Sequence, residues 1–114
     1  LKDSLKKLEK GGIIHIEVPH SNWLLSKFIN FFKKLTLQSN VTNLSPMHPP
    51  YHYYEFSKKS FEINSKIMGY KILYYYIRVS DIEFKIPNFL KLLIKKLMNY
   101  TKTGKQLVIF LKKL

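Results

Sequence analysis

Apolar residues recur along the chain first at helical and then at strand spacing, and the two patterns alternate to the end. Leu1, Leu5 and Leu8 fall on one side of a helix with lysines between them, so residues 1–10 read as the end of an amphipathic helix. Gly11-Gly12 supplies its C-cap and a turn. Ile13-Ile14-His15-Ile16-Glu17-Val18 is β-branched and begins apolar on both faces, which predicts a central, buried strand of the kind found in parallel sheets. Pro19 stops it. Ser21 or Asn22 then caps a helix over 23–37, with an apolar stripe of Trp23, Leu24, Phe28, Phe31, Phe32 and Leu35.

Residues 38–54 are irregular and hold Pro46, Pro49 and Pro50 together with His48 and His52. A loop of this length inside a domain is usually functional. Ser57 reads as the N-cap of a helix running to Met68, with Phe61 and Met68 facing inward and Gly69 closing it. A strand rich in Tyr and Ile follows over 70–79, then a connector over 81–87. Residues 88–100 form another amphipathic pattern, with Phe89, Leu90, Leu93, Leu97 and Tyr100 on one side. Thr103-Gly104 is a turn, and 106–111 a last strand.

The order helix, strand, helix, loop, helix, strand, helix, strand predicts one α/β unit. There is no internal repeat and no linker. Three strands and four helices make a thin core for 114 residues. A central first strand would also need neighbours that this chain does not supply. Leu1 stands where a translated chain would begin with Met, so the sequence reads as trimmed or as part of a longer chain.

Composition narrows the classes. At 46% hydrophobic and 15% aromatic the chain is too apolar for a disordered basic tail. It has no Cys, which removes Cys-ligated zinc, iron–sulfur clusters and thiol nucleophiles, and fits a reducing, cytoplasmic setting. No apolar run approaches the roughly 18 residues that span a bilayer, and no signal peptide is visible. Twenty Lys+Arg against seven Asp+Glu give a net charge of +13. Such a charge points to an anionic partner. Nucleic acid is not the expected one, because Arg78 is the only arginine and the lysines are scattered in ones and twos. A Lys-, Ile-, Asn- and Tyr-rich composition also arises from AT-rich coding DNA.

Three blocks carry a family resemblance. Leu8-Glu9-Lys10-Gly11-Gly12-Ile13-Ile14-His15-Ile16-Glu17-Val18-Pro19 resembles the "LKPGGxLxIEVP" segment of class I S-adenosylmethionine-dependent methyltransferases. Leu44-Ser45-Pro46-Met47-His48-Pro49-Pro50-Tyr51-His52-Tyr53-Tyr54-Glu55-Phe56-Ser57 resembles the "SPxHPPxHxxxFS" loop of one branch of these enzymes. Thr103-Gly104-Lys105-Gln106-Leu107-Val108-Ile109 is similar to the family's final strand, and residues 57–70 to its preceding helix and sixth strand. The resemblance implies the C-terminal portion of a Rossmann-like domain. Its glycine-rich cofactor turn and the acidic ribose ligand have no counterpart, since Gly occurs only at 11, 12, 69 and 104. It therefore implies an S-adenosylmethionine-dependent parent enzyme whose cofactor-binding half is missing here, with this chain on the acceptor side and inactive alone. The helix over 88–100 lies where many relatives have a short turn and reads as an insertion.

Methyl transfer needs a positioned acceptor and, for a hydroxyl, amine or carbon acid, a base. His52 is the candidate base, because an imidazole titrates near neutral pH and the block His52-Tyr53-Tyr54-Glu55-Phe56-Ser57 is similar to the "EHLxYFS" segment of sugar C-methyltransferases. Tyr51 stands where those enzymes have Glu. Ligands of open α/β sheets sit outside the C-terminal ends of parallel strands, which puts Glu17 and His20 at a pocket rim with the 38–54 loop over it. Glu17 either contacts acceptor or cofactor or satisfies backbone donors there. His48, Tyr51, Tyr54 and Glu55 complete the candidate acceptor contacts, the acceptor being a sugar, a lipid-linked group or another small metabolite. His48 and His52 lie four apart, but in a Pro-rich loop rather than on a helix and with no obvious third ligand beyond Glu55 as the best remaining option, so no metal is expected. His15 and Tyr74 to Tyr76 read as sheet packing.

Two other readings compete. The helices over 23–37 and 88–100 combine apolar stripes with Lys, as a non-catalytic basic module lying on an anionic membrane would. Core-facing helices show the same stripes, and the core is the expectation here. An uncovered 13–18 strand would also invite self-association.

Overall fold

The computed structural model describes residues 1–38 and 54–114. Among them, four helices and three strands follow the predicted order: α1 (Lys2–Lys7), β1 (Ile13–Pro19), α2 (Leu24–Leu35), α3 (Lys58–Met68), β2 (Tyr70–Arg78), α4 (Asn88–Thr101) and β3 (Gln106–Lys113). The chain is thus α/β, with one three-stranded sheet of order β1-β3-β2.

The central strand is β3, not β1. It pairs antiparallel with both neighbours, from Ile13 opposite Lys112 to Pro19 opposite Gln106 on one side and from Tyr70 opposite Lys113 to Arg78 opposite Gln106 on the other. β1 and β2 therefore run in the same direction and, among the described residues, form the two edges of the sheet. The expectation of a central, parallel first strand is corrected. The reason lies in alternation. β3 carries Leu107, Val108, Ile109 and Leu111 on both faces, and all four are fully buried. β1 places His15 and Glu17 on one face, so only its Ile14, Ile16 and Val18 side joins the core.

That core lies on one side of the sheet. Leu5 of α1 and Phe61 of α3 cover Tyr70, Leu107, Ile109 and Leu111, with Phe56 and Met68 packed around them. The Tyr70 hydroxyl donates to the Phe61 carbonyl at 2.7 Å, so the buried phenol is satisfied. Helix α3 forms as its signals predict. Ser57 accepts from the Ser60 N–H at 3.3 Å, the Ser60 hydroxyl answers the Ser57 N–H, and Gly69 ends the helix at a φ of 68°. A bulge at Leu73, between Ile72 and Tyr74, resets β2. Beyond it, Tyr74, Tyr76 and Arg78 share the face opposite the core with His15, Glu17 and Phe110.

α2 and α4 depart from their predicted roles. Neither turns its apolar stripe to the core. In α2 only Ser26 is buried, while Phe28, Phe31, Phe32 and Leu35 are exposed. In α4 only Met98 is buried, while Phe89, Leu93, Leu97 and Tyr100 are exposed. The sheet's core face is already filled by Leu5 of α1 and Phe61 of α3, and the start of α2 is tied to the turn after α4, the Leu24 N–H donating to the Thr103 carbonyl. Nor does Ser21 or Asn22 cap α2. Trp23 occupies that position with no side-chain cap, and Asn22 accepts from Lys27 instead.

Candidate functional site

Three chain segments converge just past the end of β1. The Phe56 N–H donates to the Pro19 carbonyl at 2.9 Å, and the Ser21 N–H to the Phe56 carbonyl at 3.0 Å. His20 and Phe56 thereby form a short parallel bridge. From the other side, the His20 N–H donates to the Lys105 carbonyl at 2.9 Å. The exit of the 38–54 loop is thus hydrogen-bonded to the end of β1, against the turn that starts β3.

His20 is the residue at the crossing. It is only 6% exposed, and its Nδ1 lies 3.1 Å from the Gly104 carbonyl. A carbonyl only accepts, so Nδ1 carries the proton and Nε2 is left as the acceptor. Burial holds the imidazole below its ordinary pKa of 6.5, outweighing the Gly104 hydrogen bond and the nearby Glu55 carboxylate, which pull it up. His20 is therefore neutral at pH 7. Glycine is needed at 104 because a Cβ there would stand 2.4 Å from the Arg78 carbonyl oxygen. Thr103, also buried, shares a 2.7 Å hydrogen bond with Thr101, and its carbonyl receives the Leu24 N–H at 3.0 Å. Lys105 rests its ammonium 5.5 Å from the Trp23 ring centre. Beside it Trp23, Ile82, Phe84, Met98 and Lys105 help to line a cavity of about 80 Å³. Small-molecule sites hold roughly 300–1,000 Å³, so this cavity alone is no acceptor pocket.

Glu17 is elsewhere. It sits on the open face of the sheet, where Arg78 reaches across β3 and donates to both its oxygens at 2.9 and 3.0 Å. His15 Nε2 lies 3.4 Å from the same carboxylate. The Tyr76 hydroxyl and then Glu17 push the Arg78 guanidinium to a still higher pKa. His15 stacks on Phe110 at 4.7 Å, and Phe110 continues through Tyr74 at 6.3 Å to Tyr76. Neither alternative offered for Glu17 describes this contact, which is to a side chain 61 residues away. The sequence carried one clue to the pair: Glu17 and Arg78 are charged positions near the ends of two strands.

Of the other candidates, Glu55 is half-buried near His20, and Tyr54 is 74% exposed at the border of the described residues. His48, Tyr51 and His52 lie outside the described residues. The structure thus brings His20 and Glu55 together and holds Glu17 apart from them. Sequence reasoning passed over Gly104, Thr103 and Lys105 as site residues, because their carbonyls rather than their side chains set the geometry. Among the described residues, no three His, Asp or Glu side chains are placed to hold a metal ion. No protein-family model, curated protein or solved structure matches this chain.

Proposed function

We propose that this chain is the acceptor-side, C-terminal half of a class I S-adenosylmethionine-dependent methyltransferase acting on a sugar, a lipid-linked group or another small metabolite. One observation carries the reading: the three sequence blocks that bear the resemblance meet at one point. The block over 8–19 ends at His20, the block over 44–57 returns to it through Phe56, and the block over 103–109 reaches it through Gly104 and Lys105. Two features agree with a partial domain. Among the described residues, β1 has no strand partner on its outer edge from Ile13 to Val18, where further strands can add, and a reversed strand near the edge of a mostly parallel sheet is common in doubly wound folds.

The cofactor does not fit this chain by itself. Gly104 is packed against the Arg78 backbone and Gly12 against Leu8, while Gly11 and Gly69 make a turn and a helix end. None opens a cradle for adenosylmethionine. In this reading the chain's own residues hold the acceptor. His52 takes the acceptor's proton, and Glu55 and Tyr54 border the same loop. The His20–Gly104 bond fastens the loop's exit, through the Phe56 bridge, to the end of β1.

The test begins with the coding DNA upstream of Leu1. The reading expects an in-frame strand and glycine-rich turn with an acidic residue about 20 positions on. The full protein should then transfer labelled methyl groups, and His52→Ala should slow that transfer by about 10²–10⁴-fold. An upstream sequence without that turn, or a full protein that does not bind adenosylmethionine, overturns it.

A further inference from the structure

We propose that α2 and α4 form a docking surface for an anionic lipid bilayer. The proposal stands apart from methyl transfer and does not rest on it.

The orientation of α2 is the first observation. Its polar side faces the protein: Ser26 is buried, and the Asn30 amide donates to the Ser26 hydroxyl at 3.3 Å. Its apolar side faces out, with Phe28, Phe31, Phe32 and Leu35 at 59, 60, 56 and 64% exposure. At about 100° per residue these four fall within an arc of about 100°, the width of a buried helix face. The rings form one patch, Phe32 lying 6.1 Å from Phe28 and 5.9 Å from Phe31. A helix turned this way leaves its apolar face to be covered from outside the described chain.

The second observation is α4. Phe89, Leu93 and Tyr100 are 73, 61 and 87% exposed. The Leu24 N–H bonded to the Thr103 carbonyl sets the start of α2 beside the end of α4, so the two helices start out from neighbouring points of the fold.

Charge names the occupant. Lys27 and Lys34 of α2 and Lys96 of α4 border the exposed apolar faces, while Lys33 shares the side of buried Ser26, and Lys91 and Lys95 the side of buried Met98, with Lys95 paired to Asp81; neither helix contains Asp or Glu. Lysines flanking aromatic and leucine side chains suit the headgroup boundary, where the apolar stems and rings sink and the ammonium groups stay among anionic phosphates. A second copy fits poorly, since it would bring the same lysines against these and a second net charge of +13 with them.

The test is co-sedimentation of the full chain with phosphatidylcholine vesicles, with and without phosphatidylserine. Binding is expected only with phosphatidylserine, and should weaken as salt rises. Phe31→Ser with Phe32→Ser should cut it at least tenfold. These side chains are exposed, so circular dichroism should be unchanged. Lys34→Glu with Lys96→Glu should cut it by a similar factor, since each surface lysine contributes about fivefold. Three results overturn the proposal: no sedimentation with phosphatidylserine vesicles, binding that survives the double Phe substitution, or an oligomer that this substitution turns into monomer without any lipid binding. The last would assign the face to a second copy.

Discussion

Replacing Gly104 by Ala tests the crossing at the end of β1 with one methyl group. The added Cβ would lie 2.4 Å from the Arg78 carbonyl oxygen, 2.8 Å from its carbon and 2.9 Å from Ile77 Cγ2. The first two are main-chain atoms of β2, so no rotamer change relieves the contact, and β2 or the 103–105 turn must move. Forcing an extra methyl into a filled site costs about 1–3 kcal/mol. The turn also holds the carbonyl that accepts from His20 Nδ1. Moving it strands a buried donor, at about 1–3 kcal/mol more. The sum of about 2–6 kcal/mol is a large part of the 5–15 kcal/mol that holds a typical domain together.

Urea titration followed by circular dichroism measures it, as a lower midpoint at unchanged slope. Gly69→Ala is the control. A Cβ there meets nothing within 4 Å, so only its left-handed φ of 68° opposes the change, at about 1–2 kcal/mol. A Gly104→Ala chain within about 0.5 kcal/mol of the parent, or one no weaker than Gly69→Ala, refutes the steric argument.

Two further outcomes follow from local geometry. Ser57→Ala removes the acceptor for the Ser60 N–H and should destabilise by about 0.5–2 kcal/mol in thermal or urea unfolding, whereas Ser57→Gly should cost only a few tenths. His20 is held below its unfolded pKa of 6.5, so the unfolded chain binds more protons in the window beneath that value and stability falls as pH drops into it. His20→Asn keeps a donor near Nδ1 but does not titrate. The loss of Tm from about pH 7 to about pH 5.5 should be shallower in that variant, and an equal loss would assign the acid sensitivity to other groups.

The helices and strands were largely legible because their signals are local. Ser57 and Gly69 bracket α3 within thirteen residues, and the structure keeps both ends. Pro19 and Gly11 bracket β1 in the same way. At the candidate site, the sequence pointed to the end of β1, and the structure places His20 and Glu55 there. It did not point to the Gly104 and Lys105 carbonyls, since any residue type has a carbonyl. Nor did it pair Glu17 with Arg78, a contact that depends on two strand registers.

Residue spacing, caps and turn glycines were enough to set the element order and the α/β class, because each acts over one or two helical turns. Strand order and helix orientation were decided by competition for one surface. β3 is the centre and is buried on both faces, and β1, with His15 and Glu17 on one side, took an edge. α1 and α3 filled the core face of the sheet. α2 and α4, with equally apolar stripes, were left facing out. Amphipathicity states that a face needs cover, and only the tertiary structure assigns which faces receive it from the chain itself.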